Sequence, residues 1–405
     1  MIKILFIHPN FPGQFKHIIP ALQQNRRYSL AYISRKRSMK GVEDILIEQY
    51  EFEKSDPKKI HRYLHYTQDA VREAQKVSIA ATRLAQKGFI PDLIVGHVGW
   101  GGLLFMKDLF PQAKTIAYCE LYFSEQYDHA ALPGEQINND RKAFLRCRNL
   151  HTLMQMQSMD VGITPTRYQL ESHPDSLRSR MVTVHEGVDS ALCCPDPDAH
   201  FPIKDKGLLF GKNDTVITYV SRGFEPARGF FQLMESIELL CDELPDAHFL
   251  LVGGDKSFYS GDPGVKSYRQ QALEKYKIDP DRVHFTGRLV HEGFRRVAQI
   301  SSAHIYLTRP LFLSWSVVEA MSMGAPIVAS DESLVREFMT HEQDALLVDY
   351  FSPRDIADSV NRLVKDKDLA RRLGENARQK ITEQFDIQIT VSKWLSIIER
   401  LENPA

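Results

Sequence analysis

Short apolar runs alternate along this chain with longer amphipathic stretches such as 57–88. In the first half, the runs that we predict to be strands span 2–7, 28–33, 92–97, 114–119, 160–165 and 181–185. In the second half they span 215–220, 248–254, 282–287, 303–308, 326–330 and 345–349. Runs that are apolar on both faces, with helical patterns between them, are typical of parallel sheets covered by helices. The pattern predicts an α/β protein with two Rossmann-like domains whose parallel sheets face a central cleft.

A segment rich in Pro and Asp interrupts the alternation between the two halves. We predict an N-terminal domain over 1–194, a linker over 195–212 and a C-terminal domain over 213–385. The last stretch, 386–405, is amphipathic and has no strand after it. We expect this stretch to form a helix that packs back on the N-terminal domain.

Composition and charge narrow the class of protein. The 405 residues carry 51 Lys plus Arg and 52 Asp plus Glu, a net charge of −1. Such a balance excludes a general electrostatic attraction to nucleic acid or to an anionic membrane. No apolar run approaches the ~20 residues that a membrane-spanning helix needs, and the five Cys form no C-x-x-C pair. We expect a cytoplasmic protein with reduced thiols and no signal peptide.

The densest cluster of candidate chemistry is the segment 309–330, which follows a predicted strand. A helix is predicted to begin near Ser314, Trp315 and Ser316, where backbone N–H groups and the helix dipole favour a phosphate. Glu319, about one turn into this helix, would then reach the diol of a ribose. The alternative is a structural helix with Ser as its N-cap.

A second cluster, SRGFEPARG at 221–229, follows the first strand of the second half. Arg222 and Arg228 would grip a diphosphate with forked hydrogen bonds at the carboxyl edge of the sheet. The alternative is a pair of surface arginines beside turn glycines. No G-x-G-x-x-G or Walker A motif is present, so neither a dinucleotide fingerprint nor a P-loop is predicted.

Three segments of the first half end predicted strands with residues suited to ligand binding. HPNFPGQF at 8–15 contains Gly13, which would let the chain pass close to a ligand. HVGWGG at 97–102 contains His97 and Trp100, and YCELYF at 118–123 contains Glu120. A carboxylate here would orient a sugar or transfer a proton. For His97 the alternative is a hydrogen-bonded structural histidine.

Basic residues also cluster in two runs of the first half, namely Arg35, Lys36, Arg37 and Lys40, and Arg141, Lys142, Arg146 and Arg148. Such runs are usually solvated faces. The alternative is that they receive an anionic acceptor or lipid headgroups, which would give a peripheral contact with a membrane.

Taken in order, these segments resemble one family. HEGVD at 185–189, SRGFEPARG at 221–229, SWSVVEAMSMGAPIVAS at 314–330 and a closing helix with Trp394 are similar to successive motifs of the retaining, nucleotide-sugar-dependent glycosyltransferases of the GT-B fold. Within that fold the chain resembles the glycogen-synthase-like "glycosyl transferases group 1" class, of family 4 type. The resemblance covers nearly the whole chain.

The resemblance implies a metal-independent retaining transferase without a cofactor. Its co-substrates would be a nucleoside diphosphate sugar, which donates a hexose or N-acetylhexosamine, and a saccharide or lipid-linked glycan acceptor bound by the N-terminal domain. The implied catalytic residues are Arg222, Arg228 and Glu120. The implied donor-binding residues are Gly13, Arg222, Arg228, Leu289, Ser314, Trp315, Ser316 and Glu319, with the base read by backbone near Arg288. His97 and Trp100 would lie on the acceptor or sugar side.

The chain departs from the family pattern at three positions. The first Glu of the family's E-x7-E motif falls at Leu311, the usual Lys falls at Arg228, and a His that lies near the donor sugar aligns with Glu120. Two alternatives therefore stay open: a nucleotide-sugar 2-epimerase of the same architecture, and a non-catalytic scaffold that binds nucleotide sugars.

Overall fold

The computed structural model describes residues 1–35, 45–128, 130 and 136–402. It divides into two compact units. The first comprises Met1–Gly187 with Ile387–Ala405, and the second comprises Val188–Asp386. The boundary therefore lies before the predicted linker rather than within it.

The first unit contains a seven-stranded parallel sheet in the order β3-β2-β1-β4-β5-β6-β7. Its strands are β1 (Ile2–Ile7), β2 (Tyr28–Ser34), β3 (Leu46–Gln49), β4 (Leu93–His97), β5 (Lys114–Tyr118), β6 (Val161–Thr164) and β7 (Met181–Thr183). Its helices are α1 (Ile18–Gln24), α2 (His65–Gln86), α3 (Met106–Leu109), α4 (Asn139–Arg148), α5 (Leu150–Gln157), α6 (Arg167–Ser172) and α7 (Asp175–Arg178).

Both faces of this sheet are buried, and its central strands are accordingly mainly apolar. In β1, Leu5 and Ile7 pack in one apolar cluster, whereas Ile4 and Phe6 pack in another. Strand β3 was not predicted. It is a four-residue edge strand, and its residues Leu46 and Gln49 are exposed.

The second unit begins with an antiparallel pair, β8 (His200–Ile203) and β9 (Leu208–Gly211). The prediction of a linker over 195–212 is wrong for these residues. Phe201, Ile203 and Phe210 are buried in an apolar cluster of this unit. The Pro and Asp residues there mark turns of a folded segment.

The main sheet of the second unit has six parallel strands in the order β12-β11-β10-β13-β14-β15. They are β10 (Val216–Gly223), β11 (His248–Gly254), β12 (Val283–Gly287), β13 (Ala303–Tyr306), β14 (Ile327–Ser330) and β15 (Leu346–Val348). The helices are α8 (Phe230–Glu243), α9 (Tyr268–Lys275), α10 (His291–Gln299), α11 (Trp315–Ser322), α12 (Ser333–Arg336), α13 (Pro353–Lys365) and α14 (Lys367–Gln384).

The last helix, α15 (Ile387–Glu402), belongs to the first unit. Its residues Trp394, Ile397 and Ile398 are buried in the same apolar cluster as Phe15. The rings of Phe15 and Trp394 meet edge to face with centroids 6.1 Å apart.

Two parallel-sheet α/β domains are thus confirmed. Across the residues described, no helix is both long and apolar enough to cross a membrane.

Candidate functional site

The turn that follows β10 carries Arg222 at the carboxyl edge of the sheet. The Arg222 side chain is exposed, and its guanidinium lies 3.9 Å from the centroid of the Phe258 ring. Among the described residues it has neither a hydrogen bond nor an ion pair. A β-carbon on the next residue, Gly223, would lie 2.1 Å from the backbone oxygen of Lys256. Only glycine lets the chain pass this closely beside the Arg222 site.

Arg228 is buried, although it lies in the same loop. Its Nη1 donates hydrogen bonds to Thr308 Oγ1 at 2.6 Å, to the Phe312 carbonyl at 3.1 Å and to Tyr306 Oη at 3.4 Å. Its guanidinium also lies 4.9 Å from the ring centroid of Tyr259. No carboxylate in the described part of the chain pairs with it. A buried cation held only by neutral groups is costly unless an anion binds beside it.

The short turn that carries Arg228 is held in place from the sheet. Tyr219 Oη donates to the Arg228 carbonyl at 2.8 Å, and the Gly229 N–H donates to Tyr350 Oη at 3.1 Å. Gly229 has a φ of 65°, and a β-carbon there would lie 2.5 Å from Leu307 Cβ. The backbone of this turn therefore cannot shift without breaking these contacts.

Glu225 links the two arginines, and the sequence analysis missed it. Its Oε2 accepts hydrogen bonds from the N–H groups of Phe258, Tyr259 and Ser260 at 3.0, 2.7 and 2.7 Å, and from Ser257 Oγ at 3.0 Å. The carboxylate is fully buried. The loop 257–260, which these hydrogen bonds hold, carries the Phe258 and Tyr259 rings against which the two arginines lie. The acceptor and its donors are more than 30 residues apart in sequence, so no local sequence pattern predicts these hydrogen bonds.

The start of α11 lies next to Arg228. The Ser314 N–H donates to Tyr306 Oη at 2.9 Å, the same hydroxyl that accepts from Arg228. Ser314 is the N-cap: its Oγ accepts from the Ser316 N–H at 3.3 Å. The expected N-cap is therefore present at Ser314, and a phosphate site at this helix start stays a prediction. Trp315 and Ser316 are partly exposed, so the first turn of the helix is open to a ligand.

Glu319 lies further along α11 and is 13% exposed. Its Oε2 is 3.3 Å from Nε2 of His291, the first residue of α10, and Cys193 Sγ is close to both.

Leu289, predicted to contact the donor, lies just before α10 and packs beside Gly293. Arg288, also in this segment, is exposed. Leu311, which stands where the family carries the first Glu of its E-x7-E motif, is buried, with 3% exposure.

The first unit has its own cluster at the carboxyl ends of β1, β4 and β5. The His97 ring is 4.3 Å from that of Trp100, and its Nδ1 accepts from the Gly99 N–H at 2.9 Å. Its Nε2 lies 3.4 Å from Glu120 Oε2. Nδ1 therefore makes the hydrogen bond expected of a structural histidine, whereas Nε2 faces the Glu120 carboxylate.

His8 and Gln14 complete this cluster, and neither was predicted as a site residue. The His8 ring lies 4.9 Å from Trp100, and burial, together with the nearby His97, lowers the pKa of His8 to about 3. Gln14 Nε2 donates to Glu120 Oε1 at 3.3 Å. Gly13 has a φ of 57°, and a β-carbon there would lie 2.5 Å from the His8 ring. The predicted glycine thus makes room for His8.

The basic runs are largely used within the fold. Arg35 pairs with Glu73, and Arg141 pairs with Asp128 at 2.7 Å. Arg148 lies 3.5 Å from the ring centroid of Phe123. Lys36, Arg37 and Lys40 lie outside the described residues. Lys142 and Arg146 are exposed, and contact with lipid headgroups stays a prediction.

Comparison with known proteins identifies two successive family matches. Residues 26–193 match the "Glycosyl transferase family 4 group", and residues 201–380 match "Glycosyl transferases group 1".

Curated relatives match over part of their length. An uncharacterized glycosyltransferase of Bacillus subtilis is 24% identical over 180 residues, 44% of this chain and 48% of the relative. The N-acetyl-alpha-D-glucosaminyl L-malate synthase of Bacillus anthracis is 24% identical over 194 residues, 48% of this chain and 47% of the relative. The matched part of the chain thus spans about half the length of these relatives.

Solved structures match over the whole chain. A sucrose-phosphate synthase from Thermosynechococcus elongatus has a TM-score of 0.73 at 18% identity, covering 99% of each chain. HepE of Anabaena, in complex with UDP-glucose, has a TM-score of 0.70 at 15% identity, covering 98% of this chain and 100% of that one. These likenesses show the fold. The two family matches, which together account for most of the sequence, show that the chain belongs to the GT-B glycosyltransferases of group 1, family 4 type.

Proposed function

We propose that the protein is a metal-independent, retaining glycosyltransferase. It transfers a hexose or N-acetylhexosamine from a nucleoside diphosphate sugar to a glycan or lipid-linked acceptor. The observation that carries this proposal is the buried Arg228 guanidinium, which has no carboxylate partner among the described residues and lies beside the start of α11.

Glycosyl transfer from such a donor breaks the bond between the anomeric carbon and the diphosphate, so negative charge grows on the leaving group. A cation that is fixed before the reaction stabilises this charge without reorganisation. Arg228 is fixed by Thr308 and Phe312, and the N–H groups at the start of α11 add partial positive charge. Arg222, which is exposed on Phe258, would close on the same diphosphate.

The remaining donor contacts follow from position. Glu319 is partly exposed on α11 and would accept hydrogen bonds from the ribose diol. Leu289 and the backbone near Arg288 would contact the base. In the first unit, Glu120, His97 and Trp100 would receive the sugar or the acceptor. A polar and an aromatic face side by side suit a sugar ring.

Retention is inferred from the family resemblance. We propose that the departing phosphate oxygen accepts the proton of the acceptor hydroxyl on the face from which it leaves. The acceptor oxygen then forms its bond to the anomeric carbon on that face, and no enzyme nucleophile is needed.

The test is a transfer assay with a panel of nucleoside diphosphate sugars and glycan acceptors, with UDP-glucose first because HepE shares this fold and binds it. Replacing Arg222 with Ala should lower turnover by about 100-fold or more, the usual effect of removing one charge-stabilising donor. Arg269→Ala is the matched control, because Arg269 also lies over a phenylalanine ring of the second unit but pairs with Asp255. Wild-type turnover in Arg222→Ala would refute the role of Arg222.

The same assay separates the alternatives. An epimerase would change the nucleotide sugar when no acceptor is present. A scaffold would bind the nucleotide sugar but would not turn it over with any acceptor. The buried Leu311, where the family carries a carboxylate, is the observation that favours the scaffold.

A further inference from the structure

Three side chains that can ligate a metal lie close together in the second unit. Cys193 lies in the segment before β8, His291 begins α10, and Glu319 lies on α11. Cys193 Sγ, a ring nitrogen of His291 and a carboxylate oxygen of Glu319 all lie within 4.8 Å of one another.

Their spacing is close to that of a tetrahedral zinc site. Bond lengths of about 2.3 Å to sulfur and 2.0–2.2 Å to nitrogen and oxygen place ligand atoms about 3.3–3.6 Å apart. His291 Nε2 and Glu319 Oε2 are already 3.3 Å apart. The Cys193 sulfur would need to move by no more than about 1.3 Å, which a small side-chain rotation supplies.

The backbone of Cys193 is held by two hydrogen bonds, so only its side chain would need to move. Its N–H donates to the Asp189 carbonyl at 2.7 Å, and its carbonyl accepts from Ser322 Oγ at 2.6 Å. Cys193 is 1% exposed, whereas the His291 side chain is 48% exposed. A cation would therefore enter past His291 and reach the buried sulfur behind it.

The donor set selects the kind of cation. A thiolate, an imidazole and a carboxylate suit Zn²⁺ and Co²⁺, whereas Mg²⁺ and Ca²⁺ require oxygen ligands. Three protein ligands leave a fourth position for water. The transfer step is proposed to need no metal, so a cation bound here would not take part in it.

We propose that Cys193, His291 and Glu319 bind a thiophilic divalent cation such as Zn²⁺, and that the bound cation prevents donor binding. The second part rests on the proposed function, in which Glu319 accepts hydrogen bonds from the donor ribose. A carboxylate that ligates zinc is not available to that diol, so the cation acts as a reversible inhibitor.

The first experiment uses the full chain and Co²⁺ alone, without nucleotide. Wild-type protein should bind one Co²⁺ and show the near-ultraviolet absorption of a thiolate–cobalt bond. Cys193→Ala should lose this absorption, and His291→Ala should weaken binding by at least about 10-fold. Cys194→Ala is the matched control, since Cys194 is the next residue and is not part of the cluster. No thiolate absorption in the wild type, or full absorption in Cys193→Ala, would overturn the site.

The second experiment measures the affinity of the donor nucleotide with and without Zn²⁺. Zn²⁺ should raise the apparent Kd in the wild type and leave it unchanged in Cys193→Ala. An unchanged Kd in zinc-loaded wild-type protein would overturn the inhibition while the Co²⁺ result stands. A chain that binds no nucleotide even without Zn²⁺ would instead refute the proposed function, and the Co²⁺ titration does not depend on it.

Discussion

Replacing Glu225 with Gln tests whether one buried carboxylate holds the arginine site together. Glu225 Oε2 accepts hydrogen bonds from Ser257 Oγ and from the N–H groups of 258–260. A hydrogen bond to a charged group contributes about 1.5–3 kcal/mol and a neutral one about 1 kcal/mol. The smallest difference between a charged and a neutral bond is about 0.5 kcal/mol. Over the four bonds to Glu225, the substitution should therefore lower the stability of the loop by at least about 2 kcal/mol.

The loop matters because the arginines lie on it. Arg222 lies 3.9 Å from the ring centroid of Phe258, and Arg228 lies 4.9 Å from that of Tyr259. Glu225 is thus a positioning residue, which touches no substrate itself. We expect Glu225→Gln to lower kcat in the transfer assay, while a Ser257→Ala variant, which removes one donor, has a smaller effect.

Hydrogen–deuterium exchange of the 258–260 amides measures this support directly. A loss of about 2 kcal/mol corresponds to roughly 30-fold faster exchange, since 1.4 kcal/mol is a factor of ten. Ser257→Ala should speed exchange by about 12-fold, from the loss of one bond to a charged group that contributes about 1.5 kcal/mol. If the 258–260 amides of Glu225→Gln exchange within a factor of two of wild type, the carboxylate does not hold the loop and the reasoning is wrong.

Three further predictions concern buried positions. Leu311→Glu should destabilise the fold without raising turnover, because Leu311 is 3% exposed and the new carboxylate would be buried; higher turnover would contradict this. Trp394→Ala should lower the free energy of unfolding by about 3–5 kcal/mol, measured by denaturant titration, because Trp394 is 3% exposed. Burial lowers the pKa of His304 to about 4, so below pH 6.5 the unfolded chain binds its proton first. His304 alone should lower the free energy of unfolding by up to about 1.4 kcal/mol per pH unit as the pH falls from 6.5 to 4, and His304→Gln should remove this contribution.

The sequence predicted the central strands of the two sheets better than the edge strand and the segments outside the sheets. Central parallel strands are buried on both faces, so their apolar runs stand out, as in 2–7 and 248–254. The edge strand Leu46–Gln49 has no such run. The segment 195–212 was mistaken for a linker because its Pro and Asp residues outweighed Phe201 and Phe210, whose burial depends on distant partners.

The candidate site shows the same division. Arg222, Arg228 and Ser314 follow strands at the edge where ligands bind in α/β folds, so position alone suggested them. Glu225 and His8 were missed because their importance arises from contacts between separate segments. Glu225 holds a loop more than 30 residues away, and His8 meets Trp100 only in the folded sheet.

The most direct test of the central claim is nucleotide binding by the wild type and by Arg228→Met and Arg228→Lys. Thermal unfolding would be followed with the diphosphates of uridine, guanosine, adenosine and thymidine. A ligand at about 100 times its Kd stabilises the folded protein by about 2.7 kcal/mol. The account predicts that one diphosphate raises the Tm of the wild type, that Arg228→Lys retains much of the shift, and that Arg228→Met loses it. An equal shift in Arg228→Met, or no shift with any nucleotide, would contradict the account.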